Sequence, residues 1–164
     1  MALIEKKGYG QVEPNHLSAQ RDGHIYAQLP CNIDVVENGM FLKYDLENGE
    51  INTTGDGESM LVYSEVKLYD GRAKAYKNFA LLKTESSDGK NYPRLFGTSI
   101  GDFYTGNLFD VTTAKGSLKG VKLTVVNGIL TETADVAGKA NVWKVVKETT
   151  MADGQYALKV IRIA

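Results

Sequence analysis

The 164-residue chain reads as all-β: a small barrel or sandwich of short antiparallel strands and hairpins, preceded by an extended N-terminal arm. Three observations point there. Asn-Gly pairs at 38–39, 48–49 and 127–128 and an Asp-Gly at 153–154 punctuate the body, and both residues of such pairs tolerate the positive φ of hairpin turns. Between the turns, apolar and polar residues alternate with the period of a half-buried strand. The short strands so defined recur at roughly even spacing, which favours a barrel or sandwich.

Taken in order, the first segment is the least regular. GYGQVEPNHLSAQRDGHIYAQLP, residues 8–30, holds two of the three prolines, both histidines and three glutamines without a sustained helical or strand period. Pro14 and Pro30 each fix φ, remove a donor and bias the preceding residue toward extended backbone. An arm over residues 1–32 follows, either reaching for a partner or running along its own domain as an edge strand and loop. The body then divides into a hairpin-rich part, 33–94, and a C-terminal β unit, 95–164. MFLKYDL sets Phe41, Lys43 and Asp45 against Leu42, Tyr44 and Leu46. After Asn48 and Gly49 the chain should return antiparallel near residues 51–54. Gly55-Asp56-Gly57 turns into MLVYSEVKLY, a strand over 60–69. RAKAYKNFALLKT, 72–84, fits a helix or a strand, and the strand is preferred for Phe79, Leu81 and Lys83; 86–91 is a loop. RLFGTSIGDFYTGNLFD, with Gly97, Gly101 and Gly106, reads as a meander or bulged strands. VKLTVV and ILTET form a hairpin around Asn127 and Gly128. NVWKVVKET and YALKVIRI follow, with WKVV, Leu158, Val160 and Ile161 as a compact core.

Composition narrows the function. A formal net charge of −1 with interspersed signs lacks the concentrated basic footprint of nucleic-acid binding, and the basic residues of 67–83 read as a solvated strand face. The single Cys31 excludes an internal disulfide and a multi-cysteine metal site. MALIEKKGYG has no apolar core behind its charges, so no signal peptide is expected. Apolar runs of four or five residues are far short of a membrane span.

Catalytic constellations are nearly absent. His16 and His24 sit in a polar segment that offers no rigid frame for metal with Asp22 or Glu13, and nothing supports a Cys31–histidine nucleophile. GDGES, 55–59, lacks the alternating oxygen ligands of a calcium loop and is followed by no helix to hold a phosphate, so it reads as a turn. Asp102 and Asp110 make no carboxylate pair. No catalytic residue, metal ligand or cofactor is predicted. The nine tyrosines are more informative. Tyr9, Tyr26, Tyr63, Tyr69, Tyr92 and Tyr104 have polar neighbours, and tyrosine suits half-wet surfaces that become interfaces as well as strands.

The N-terminal GYGQVEPNHLSAQRDGHIYAQLP, ENGMFLKYD, MLVYSEVKLYD and the final ADGQYALKVIRIA together resemble a family of tailed-bacteriophage head proteins, similar to capsid decoration (cement) or minor head proteins. That resemblance implies a non-enzymatic virion component on the phage head surface, synthesised in the host cytoplasm. Its partner would be the major capsid protein, with self-association, a trimer being natural at threefold positions, and no role for nucleic acid or membrane. The arm residues expected to meet the partner are Tyr9, Gln11, Pro14, His16, Leu17, Arg21, His24 and Tyr26. The alternative is a head fibre or host-surface glycan-binding module.

Overall fold

The computed structural model describes residues 2–26, 28–64 and 78–164, and nearly all of their regular structure is β. Near the N-terminus lie β1 (Ala2–Leu3), β2 (Val12–His16) and a single helical turn, α1 (Ser18–Asp22). The middle holds β3 (Val35–Glu37), β4 (Phe41–Asp45), β5 (Glu50–Asn52), β6 (Met60–Val62), β7 (Ala80–Leu82) and β8 (Leu95–Phe96). Then come β9 (Phe103–Gly106), β10 (Phe109–Val111), β11 (Lys122–Val126), β12 (Ile129–Glu132), β13 (Trp143–Thr150) and β14 (Tyr156–Arg162).

Turn chemistry sets the local pairings. Val126 faces Ile129 across Asn127 and Gly128, whose φ values of 48° and 82° give the turn the twist its strands need. Asn48 and Gly49 likewise close β4 on β5, with Asp45 opposite Glu50. β13 and β14 form the longest ribbon, with a register shift between Val145 and Lys147.

The largest sheet runs β1-β10-β12-β11-β13-β14-β9-β2, antiparallel except for the parallel β10–β12 pair. Its order requires it to be rolled. β9 and β10 stand five strand spacings apart, ~24 Å in a flat sheet. Only Asn107 and Leu108 link them, and that length of chain spans at most ~11 Å. The sheet therefore curls on itself as a barrel. The β2–β9 ladder is extended beyond Val12 and Gly106 where Asn107 Oδ1 accepts from the Gln11 amide at 2.6 Å and the Asn107 amide donates back to Gln11 O.

The rolled sheet encloses Trp143, Tyr104, Phe109, Leu123, Leu130, Val145, Leu158 and Val160. Trp143 stands edge-on to Tyr104 and to Phe41, and Tyr104 stacks on Phe109. Ile161, expected in this core, alternates to the other face and is only partly buried. The Tyr104 hydroxyl is buried without a hydrogen-bond partner among the described residues, and burial pushes its pKa far up. Because an unsatisfied buried hydroxyl costs ~1–3 kcal/mol, Tyr104→Phe is expected to raise stability by about 1 kcal/mol in urea denaturation. A loss of stability would place a water on that oxygen.

A second sheet, β5-β4-β6-β8, packs on the first and is buried on both faces. Phe41, Leu61, Tyr63 and Phe96 join the barrel core, while Leu42, Met60, Val62 and Leu95 form a second core with Cys31, Val36 and Ile51. The alternation in MFLKYDL is present, but its first half separates two cores rather than core from water. A two-stranded ribbon, β3–β7, lies beside the second core.

Several expectations are corrected. Residues 8–30 do not project: β2 pairs with β9 from Val12 opposite Gly106 to His16 opposite Phe103, and Val12, Leu17 and Ala19 enter the core. Of the two placements for this segment, packing on its own domain is the one observed, because its few apolar residues complete the barrel. The boundaries at 32/33 and 94/95 are not boundaries between sheets, since β1 and β2 belong with the C-terminal strands. The strand expected over 60–69 runs from Met60 to Val62, and its part beyond residue 64 lies outside the described residues. In 72–84, the strand is Ala80–Leu82 and 72–77 lies outside them. Tyr104 and Tyr63 are buried rather than half-wet.

Two glutamates clasp loops to the barrel. Glu148 accepts from the Gly116 and Leu118 amides and from the Tyr156 hydroxyl; the Tyr156 bond foremost lowers its pKa. Burial pushes the Glu132 carboxyl up, but donors from Thr113 and Thr112 outweigh it and hold the group at about 2.

Candidate functional site

The segment expected to meet a partner lies on the molecular surface as β2, α1 and the strand-like run after it. α1 is one turn long. Its C-terminus closes on Gly23 at φ 77°, whose amide donates to Ala19 O. At the other end no side chain of the helix caps it. Asp102, 84 residues away, does so instead: Oδ1 accepts from the Ser18 amide at 2.9 Å and Oδ2 from the Ser18 hydroxyl at 2.8 Å. Oδ2 also accepts from the Ser99 amide at 2.9 Å. An acidic acceptor at the first amide of a helix satisfies a donor that the helix itself leaves open. Beyond Gly23 the chain runs beside the edge of the second sheet, with Ile25 bridged to Phe96 and the Tyr26 amide donating to Leu95 O.

The eight candidate residues fall into three groups. Gln11 and Leu17 face inward. Gln11 bonds to Asn107 at the end of the β2–β9 ladder and its Nε2 donates to Asp153, while Leu17 is 3% exposed in the core. Both are corrected from contact residues to structural ones, because the inward face of an edge strand must be filled. Tyr9 and Pro14 are half-buried, the Tyr9 amide donating to Asn78 Oδ1. His16, Arg21, His24 and Tyr26 are exposed. The His16 ring stacks on Phe103 at 5.8 Å between centroids. Arg21 and Asp22 form an exposed ion pair that lowers the Asp22 carboxyl through the Arg21 hydrogen bond, with His24 and His16 adding to the effect.

Tyr26 is 49% exposed, a large ring left half in water. Its ring meets Tyr44 edge-on at 5.8 Å and lies over Gly97, where an added Cβ would come within 3.4 Å of Cε2. Ile25 is exposed beside it, and exposed Tyr92 is linked through Gln28, whose Nε2 donates to Tyr92 O at 2.7 Å. The Tyr92 hydroxyl donates to Asp88. Tyr92 is one of the tyrosines marked in the sequence as suited to an interface, whereas Tyr44 is not, since its contact with Tyr26 depends on sheet order. Ile25, adjacent in sequence, could have been found from its apolar side chain in a polar run. This face offers rigid rings with polar tips, suited to burial against another surface.

Strand addition is not what this segment offers. The inner edge of β2 is taken by β9, and the strand carries Pro14 and a register shift between Pro14 and His16, features that blunt an edge. Among the described residues, no group of three His, Cys, Asp or Glu could hold a metal ion. A cleft of about 570 Å³ lies elsewhere, between Ile4, Val111, Leu118 and Tyr156, with Lys7 and Lys115 lining it. No family model, no curated protein and no solved structure matches the chain.

Proposed function

We propose that this chain is a non-enzymatic structural protein that docks through the Tyr26 face onto a larger protein assembly, as a decoration protein on the head of a tailed bacteriophage. The observation that carries the reading is the exposed Ile25 and Tyr26 pair, braced by Tyr44 and flanked by Tyr92, whereas Phe41, Tyr63, Phe96, Tyr104, Phe109 and Trp143 are buried in the core. The partner is the major capsid protein, and self-association, as a trimer at threefold positions, would place several such faces on one capsomer junction. The N-terminal segment contributes by presenting His16, Arg21, His24 and Tyr26 from a packed edge. Clamping is then rigid docking with little ordering cost, which favours affinity.

The test is co-sedimentation of purified protein with capsids that lack it. Tyr26→Ala is expected to weaken saturable binding about thirtyfold, the effect of a ~2 kcal/mol interface anchor, with the melting temperature nearly unchanged. Equal binding by wild type and variant would remove Tyr26 from the interface, and no binding by either would overturn the reading. A second reading, a host-surface glycan module, is favoured by the same Tyr26–Tyr44 contact, because aromatic faces also stack on sugars. A glycan array with the isolated protein separates the two: the decoration reading expects no signal.

A further inference from the structure

A second cleft, of about 360 Å³, opens on the opposite face of β4 from Tyr44, at the seam between the two sheets. Its walls come from β4, from the end of the GDGES turn, from the β11–β12 turn and from residues 139–141. Three features set it apart. Lys43 and Lys139 both line it, and neither ammonium group has a hydrogen bond or ion pair among the described residues. The carboxylate of the lining, Glu58, is already paired with Arg162, so the two lysines outnumber free carboxylates in the lining, a balance that favours an anion. Thr124 also lines it, 3% exposed, with a hydroxyl that finds no partner among the described residues. Finally, the two non-glycine residues with positive φ among the described residues, Asn127 at 48° and Asn141 at 62°, both border it. The hairpin explains Asn127. Asn141 is held by its side chain, which donates to Ser59 O at 2.6 Å and accepts from Trp143 Nε1 at 2.8 Å. Left-handed backbone outside glycine is uncommon and persists where surrounding contacts impose it. The wall is thereby rigid and tied to the barrel core.

We propose that this cleft binds a small oxyanion of the phosphate class, with Lys43 and Lys139 supplying the charge and Thr124 a hydroxyl donor at its floor. Two ammonium groups in the lining of one polar pocket match an anion with several oxygens, whereas the neutral sugars of the glycan reading would leave both charges uncompensated. The site stands independently of the docking face, since Lys43 and Tyr44 point to opposite sides of their strand.

The test is a titration of the full chain with inorganic phosphate at constant ionic strength, followed by amide NMR shifts, with chloride as control. A parallel titration with glycerol phosphate distinguishes a free anion from a phosphate ester. Saturable shifts at Ser59, Asn127 and Gly128 are expected with at least one phosphate probe and not with chloride. The Lys43→Gln, Lys139→Gln double variant should lose about tenfold or more in affinity while keeping the wild-type spectrum elsewhere, and Thr124→Val should bind more weakly than wild type. Absence of saturation with both phosphate probes, equal shifts with chloride, or undiminished binding by the double variant would each overturn the site.

Discussion

Removing residues 1–30 is expected to unfold the protein, not to release a folded body. The truncation takes away β2, the strand that flanks β9, and with it Val12, Leu17 and Ala19 of the barrel core, together with Ile4. Burial of one large aliphatic side chain is worth ~1.5–3 kcal/mol, so losing Ile4, Val12 and Leu17 alone removes roughly 5–9 kcal/mol. A domain of this size has a net stability of only ~5–15 kcal/mol. The deletion also frees the open edge of β9, because Asn107 loses the Gln11 amide and carbonyl, and exposes the flank of Tyr104. Circular dichroism during heating should show no cooperative transition for the truncated chain. A native-like transition would mean that the rolled sheet closes without β2, and that residues 1–30 are a separable arm after all. Leu17→Ala is the milder form of the same experiment, with an expected loss of ~3 kcal/mol.

Asp102→Ala should be nearly as damaging for a single substitution. The carboxylate is 1% exposed and accepts from the Ser18 amide, the Ser18 hydroxyl and the Ser99 amide. Its backbone is equally engaged, since Asp102 O accepts from the Arg162 amide at 2.8 Å. Arg162 in turn donates to Thr98 O, Thr98 Oγ1 and Ala164 O and pairs with Glu58. Truncation would strand three donors where water has little access, each costing ~1–3 kcal/mol. A fall of roughly 3 kcal/mol or more in urea denaturation is expected. Asp102→Asn, which keeps one acceptor oxygen, should lose about half as much on the same accounting. A loss under about 1 kcal/mol for the alanine variant would mean that water replaces the carboxylate, and that α1 is not anchored there.

Asp102 also shows where local reading stops. As a sequence feature it is an aspartate eight residues before another, and no carboxylate chemistry can be argued from it. Its role is to cap a helical turn that comes 84 residues earlier in the chain. That turn, Ser18–Asp22, is too short to show a helical period. Gly23, which ends it, resembles any turn glycine. The candidate contact residues divide for a related reason. Composition marked 8–30 as unusual, and His16, Arg21, His24 and Tyr26 are indeed at the surface. Gln11 and Leu17 are in the same polar run but face the interior, and nothing in their neighbours distinguishes them. The GDGES turn behaves similarly. It is a turn, as its glycines imply, with Gly55 so close to β4 that an added Cβ would lie 2.4 Å from Tyr44 O. That its end forms one wall of a lysine-lined cleft depends on strands far away in sequence.

The residue pattern alone determined the β class, the hairpins at Asn48-Gly49 and Asn127-Gly128, and the long final ribbon, because turn preference and period-two alternation act between residues close in the chain. Only the tertiary structure decided that β10 pairs parallel with β12, that a two-residue link makes the eight-stranded sheet roll, and that residues 8–30 lie on the body. An edge strand has one hydrogen-bonded side and one filled face, so its sequence carries half the signal of a central strand and reads like a free arm. What completes that signal is the neighbour it packs against, and for β2 that neighbour is β9, some ninety residues further along.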